Sequence, residues 1–218
     1  MLSYLQLRRA IGWTGITLSP ILLTGFYMGY PQCELPPTLS HFYYTAFGTY
    51  FTGNLISIAV FLFFYLGPQP IDRIIARLAA LCACIVAFCP TSPYCQQCST
   101  CTFITLFPFP MQSFLHYCAA IFLFLLLAFF CLFLFTRTHT DRLPTRQKIW
   151  RNRIYRCCGI IILLCLLILG GVEGHVLPGW QILGRWPPLL LAGETIVLTA
   201  FGISWLIKGA AWLQDAGE

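Results

Sequence analysis

Charged side chains are scarce in this sequence: 9% of its 218 residues are Asp, Glu, Lys or Arg, against roughly a quarter in an ordinary soluble domain. So few charges cannot cover the surface of a water-soluble chain of this length, whereas a lipid-facing surface needs none. Other absences narrow the class. The first apolar run, from Ala10 to about Tyr30, has no small-residue cleavage site, so it reads as an uncleaved span although Arg8 and Arg9 precede it. No internal repeat is visible, which argues against a transporter built from two inverted halves. No HExxH or other ligand spacing within one helix occurs, and the cysteine-rich run lacks the fourth Cys followed by Pro that an iron–sulfur motif carries.

What is abundant is apolar: 58% of residues are hydrophobic and 19 are Phe, enough for several bilayer crossings. A crossing helix needs about 20 apolar residues. Six segments meet or approach this length, at about 10–30, 41–66, 71–89, 113–136, 154–171 and 188–208. The third is the weakest, because Asp72, Arg73 and Arg77 crowd its start; these are expected at the water interface with side chains snorkelling outward. Turn-forming prolines separate the spans, among them Pro31, Pro36, Pro68, Pro90, Pro144 and Pro187. The expected fold is therefore an all-α, polytopic bundle of about six spans in one domain, with a Cys-rich outer loop at 90–112 and a basic cytoplasmic loop at 137–153.

The positive-inside rule orients it. Of the 13 basic residues, all but Arg185 fall on the side of the N-terminus, so both ends are expected in the cytoplasm. The run 137–156 carries seven of them with one acid, a topology signal able to attract anionic lipid headgroups. Its tether to the membrane and its brevity speak against nucleic acid as a partner. Gly12, Gly15 and Ser19 share one side of span one, Gly25 and Gly29 form a GxxxG near its outer end, and Thr195, Thr199 and Gly202 line span six. Such small-residue stripes are packing surfaces in lipid.

Ionisable groups within spans are costly, and each is a candidate for function. His41 opens span two, His116 lies about one turn into span four, and Glu194 about two turns into span six, all toward the outer face. Tyr44, Thr45 and Asn54 of span two would help to shape a pocket there. Two chemistries suit such a set. His41, His116, His175 and Glu194 could hold a zinc-like ion that activates water, or His41 and His116 could be the axial ligands of a haem. The plain alternative is structural: a solvated His41, and a His116 satisfied by a backbone carbonyl or a hydroxyl.

The sequence has 12 cysteines. Those in or beside apolar spans are expected to pack as small hydrophobes. Cys89, Cys95, Cys98 and Cys101, with CQQCSTC at 95–101, face an oxidising compartment in this orientation. Disulfides are then the default, with Cys33 as a further partner. Thiol exchange at the CxxC pair and metal binding are the alternatives.

Several segments, in order, carry a family resemblance. PTLSHFYYTAFGTYFTG (37–53), FCPTSP (88–93), LHY (115–117), LFLFTR (132–137), RNRIYRCCG (151–159) and FGISWLIKG (201–209) resemble a group of uncharacterised bacterial multi-pass membrane proteins with an S-x-Y-Y-[HY]-T signature in span two. The resemblance covers nearly the whole chain and implies a six-span protein of the bacterial inner membrane; it implies no activity. The chain departs from the pattern at Tyr44, where many relatives carry His, and at Gly48 and Thr49, where they carry Arg–Asp. The segment 95–101 looks like an addition. The function expected is binding or sensing of a small or lipid-like ligand in an outward-facing polar pocket, alone, as a homo-oligomer or with a membrane-protein partner. A metal-dependent hydrolase of the outer leaflet and a thiol or haem redox protein are the competing expectations.

Overall fold

The structure, a computed structural model, describes residues 4–93, 108–137, 145–173 and 189–211. Among them there is no strand; six helices follow one another as α1 (Tyr4–Gly29), α2 (Gly48–Phe63), α3 (Pro70–Phe88), α4 (Phe109–Phe129), α5 (Arg146–Glu173) and α6 (Leu189–Lys208). A 3-10 turn, Leu39–Tyr44, precedes α2, and a π-helical turn, Phe130–Leu134, continues α4. Four helices are long and apolar enough to cross a membrane, namely α1, Pro110–Leu134, α5 and α6. Of the other two, α2 is apolar but has 16 residues, about 24 Å of rise, and α3 carries Asp72, Arg73 and Arg77 in its first turns.

Each helix packs on the next in the chain, and α6 returns to α1, so the six close a circuit. The closing contact is made by glycine. A Cβ on Gly202 would lie 2.5 Å from Ile16 Cγ1 and 2.6 Å from the Gly12 carbonyl oxygen, and one on Gly12 would lie 2.8 Å from the Leu206 backbone nitrogen. Side chains could not give way here, because the neighbours include main chain. Gly12 and Gly15 of the span-one stripe therefore meet Gly202 of the span-six stripe. The GxxxG at Gly25 and Gly29 is half used: Gly25 packs on Phe47, and Gly29 faces open space. On α3 the same principle uses alanine, with Ala76, Ala79, Ala80, Ala83 and Ala87 all buried.

Inside the circuit, at the end that holds the start of α1 and the end of α6, Trp205 is fully buried among aromatic rings. Its centroid is 4.9 Å from that of Tyr65, 5.1 Å from Phe135 and 5.5 Å from Phe130. This is also the basic end. Arg8 donates to the Lys208 carbonyl at 3.2 Å, and Arg9 to the Gly209 and Ala210 carbonyls at 2.8 and 2.9 Å. Two cations from α1 thus close off the C-terminus of α6, where free carbonyls and the helix dipole favour positive charge. Lys148 and Asn152 of α5 serve the end of α4 in the same way, donating to the Phe135 and Thr136 carbonyls.

Three expectations need correction. The second apolar segment is not one helix from 41: residues 39–44 form the separate 3-10 turn, and α2 starts at Gly48. The chain doubles back so tightly there that a Cβ on Gly48 would meet the Tyr43 carbonyl oxygen at 2.2 Å. Asp72 does not sit in interfacial water. It is 2% exposed, accepts from the Gln69 amide at 3.1 Å and pairs with Arg137 at 2.9 Å, so it ties α3 to the end of α4. The basic stretch 137–153 is helical from Arg146 onward, because α5 extends past its apolar part.

Gly202→Val should lower the detergent melting temperature in line with an overpacking cost of about 1–3 kcal/mol. Gly53→Ala, where a Cβ meets nothing within 4 Å, should be nearly neutral in the same assay.

Candidate functional site

The opposite end of the bundle is a polar cap made from the 3-10 turn, the segment after α3, and the first turns of α4 and α6. Thr38, the residue before the turn, supplies no side-chain cap to it. Glu194 does so from α6: its Oε2 accepts from the Leu39 amide at 2.5 Å, placing a carboxyl group at the positive end of the turn. The next residue is held from another helix. His116, 2% exposed, has Nε2 at 3.0 Å from Ser40 Oγ and Nδ1 at 2.7 Å from the Cys89 carbonyl oxygen. A carbonyl only accepts, so Nδ1 carries the proton and, in the neutral ring, Nε2 accepts from the serine hydroxyl.

The segment after α3 is fastened residue by residue. His116 takes the Cys89 carbonyl, Gln112 donates to Pro90 at 3.2 Å, and the Tyr44 hydroxyl donates to Thr91 at 2.6 Å. The Thr91 hydroxyl bonds Tyr117 at 3.0 Å, and Ser92 and Ser113 lie 2.9 Å apart. The buried backbone of Cys89, Pro90 and Thr91 would carry unpaired carbonyls in a poorly hydrated place without these partners, whereas Ser92 and Tyr117 reach the surface. The cap's polar side chains thus satisfy irregular backbone at an end of the bundle where no helix can do so.

The structure brings together Glu194, His116 and Tyr44 of the expected pocket through the 3-10 turn. His41 belongs to the same turn, half-buried, with Nδ1 at 2.6 Å from Thr38 Oγ1. The turn lies outside the crossing helices, and burial, then the nearby His116, lower the His41 imidazole to about 4. The Thr45 hydroxyl closes its own turn, accepting from the Phe47 amide and donating to the Phe42 carbonyl. Asn54 sits apart, buried in α2, with no hydrogen-bond partner for its Oδ1 among the described residues. Ser40, Thr91, Gln112 and Tyr117 complete the cap and were not singled out from sequence. Gln112, fully buried at the start of an apolar run, was the one readable signal.

For a metal, the candidate donors are poorly free. Among the described residues no three His, Cys, Asp or Glu side chains cluster, and both nitrogens of His116 are engaged by the protein. Zinc or haem ligation at His116 would require it to release Ser40 or Cys89. His175, Cys95, Cys98 and Cys101 lie outside the described residues. Cys33 is disulfide-bonded. Cys89 is a buried free thiol, as is Cys131 within the bundle, while Cys157 is a free thiol on the exposed face of α5.

With this geometry in view, the chain was compared with known proteins: no family model, curated protein or solved structure matches it.

Replacing His116 by Phe keeps the ring volume but strands the Ser40 hydroxyl and the Cys89 carbonyl. The expected loss is about 1–3 kcal/mol, read as a lower melting temperature in detergent, with His116→Gln recovering part of it. Acidity should act through His41. Unfolded, it takes up a proton near pH 6.5, and folded only at about 4, so the unfolded chain binds more protons between these values. Stability should therefore be unaffected by His41 above pH 6.5 and fall as pH drops from there toward 4. His41→Asn should flatten that slope when melting is followed from pH 7.5 to 4.5.

Proposed function

We propose that this chain is a six-span inner-membrane protein, both termini cytoplasmic, whose cap binds or senses a small or lipid-like ligand at the outer face. The observation that carries the reading is the double latch on the 3-10 turn. Consecutive residues, Leu39 and Ser40, are held by Glu194 of α6 and His116 of α4. Both latches are titratable side chains set on apolar helices, an expensive placement that a purely structural anchor does not require. A ligand that offers Glu194 a better donor than the Leu39 amide frees the turn and changes the tie between α4 and α6. Tyr44 and Thr45 set the shape of the turn, and Asn54 lies further along α2.

The six-span count is supported by the closed circuit. α2 and α3 fill the gap between α1 and α4 side by side with helices long enough to cross, and they bury matching apolar faces against them. The orientation is supported by the basic end, where Arg8, Arg9, Arg137, Lys148 and Lys208 gather. Reporter fusions at the two termini and at 90–93 test it: cytoplasmic signals at both ends with an external one at the loop are expected.

For the ligand, hydrogen exchange at 38–45 is the readout, measured in mild detergent with and without a total polar lipid extract. The wild-type Leu39 amide should be protected, and the extract should alter that protection. Glu194→Gln keeps an acceptor for Leu39, so it should fold and stay protected but lose the response. Glu194→Leu should speed exchange about tenfold or more, as expected for a lost buried hydrogen bond. A wild-type turn indifferent to every lipid fraction, or a Gln variant that still responds, would remove Glu194 from a binding role.

A further inference from the structure

The floor of the α2–α3 contact is made of short side chains, Ala59 on α2 and Ala80 on α3, while taller ones flank it. A trough of about 560 Å³ results, open on the outside of the bundle and walled by Val60, Phe63, Leu78 and Leu81. These walls are exposed, with Phe63 at 52% and Leu81 at 58%, as lipid-facing side chains are. One charged residue lines the trough, Arg77, with its guanidinium 5.6 Å from the centre of the Phe63 ring. Arg73 is exposed one helical turn nearer the basic end, on the same face of α3.

Neither arginine has a carboxylate among the described residues. The acid nearest in sequence, Asp72, points the other way, buried and paired with Arg137. Arginines beside an apolar trough near the end of a membrane helix reach interfacial water by snorkelling, and there an anion is the natural partner for their charge. A phosphate offers the forked geometry that arginine matches best. The trough, meanwhile, has the shape and polarity for a hydrocarbon chain.

We infer that the α2–α3 face is a binding site for one anionic glycerophospholipid, its acyl chain in the trough and its phosphate on Arg77 and Arg73. The inference rests on the reading of α2 and α3 as spans, which places the headgroup in the cytoplasmic leaflet, where anionic lipid and basic pockets between helices meet. The site is at the other end of the molecule from the polar cap.

The full chain in mild detergent would be titrated by native mass spectrometry with phosphatidylglycerol and with phosphatidylcholine of the same acyl chains. Phosphatidylglycerol is expected to bind about tenfold more tightly, the size of effect that a charge-assisted phosphate contact supplies. Arg73→Gln/Arg77→Gln should erase the preference, and Arg73→Lys/Arg77→Lys should keep much of it. Val60→Trp, which fills the trough from an exposed position, should lower occupancy by both lipids. Equal affinity for the two lipids overturns the proposal, as does a preference that survives the double Gln variant. Displacement by free glycerol phosphate alone would reduce the site to an anion patch. A dimer buried through α2 and α3 that excludes both lipids would replace it with a protein interface. Binding in detergent does not depend on orientation, so failed reporter fusions and a failed titration are separate results.

Discussion

The approach of α1 to α6 across Gly12, Gly15 and Gly202 sets the rest of this molecule in place. Helices surrounded by lipid gain little from hiding apolar side chains, so they associate through close van der Waals contact and through polar groups. With glycine on both helices, their backbones come close enough for Arg8 and Arg9 to reach the last carbonyls of α6. On the same helix as Gly202, Trp205 packs against Tyr65 and Phe135, so the aromatic centre of the bundle draws on α6 as well. A side chain at Gly202 would loosen the circuit, the C-terminal cap of α6 and the aromatic centre together.

The two ends solve one problem with different chemistry. Helices expose unpaired carbonyls and amides at their termini, and in an apolar setting each needs a partner. At the basic end the partners are arginine, lysine and asparagine aimed at helix C-termini. At the cap, turns replace helix ends, and glutamate, histidine, glutamine, tyrosine and serine hold them one residue at a time. Glu194 holds one backbone amide with one oxygen. The α2–α3 trough, where short residues meet between tall ones, differs from both in having Arg77, which meets no carboxylate among the described residues, beside an apolar floor.

Much of this was legible in the chain. Apolar runs placed helices near their observed positions, and α6 agrees to within a residue of the expected 188–208. Small-residue stripes marked packing surfaces on α1 and α6 without saying that they meet each other, and His116 and Glu194 were conspicuous because ionisable groups are rare in apolar runs. Span two was misjudged because no proline and no Asp, Glu, Lys or Arg stands between Leu39–Tyr44 and the helix that follows; the close pass of Gly48 over the Tyr43 carbonyl separates them. Asp72 was misjudged because its partner, Arg137, lies 65 residues away.

The sequence by itself determined that the chain is helical and membrane-suited, and which residues would be costly to bury. Those properties follow from composition and from spacing along single helices. Which backbone groups those costly residues answer was decided by tertiary structure. Glu194 meets Leu39 across 155 positions, and His116 meets Ser40 across 76, and no local pattern encodes such pairings. They exist because the circuit of helices carries distant turns to the same end of the bundle, where each unpaired carbonyl and amide takes the nearest side chain able to satisfy it.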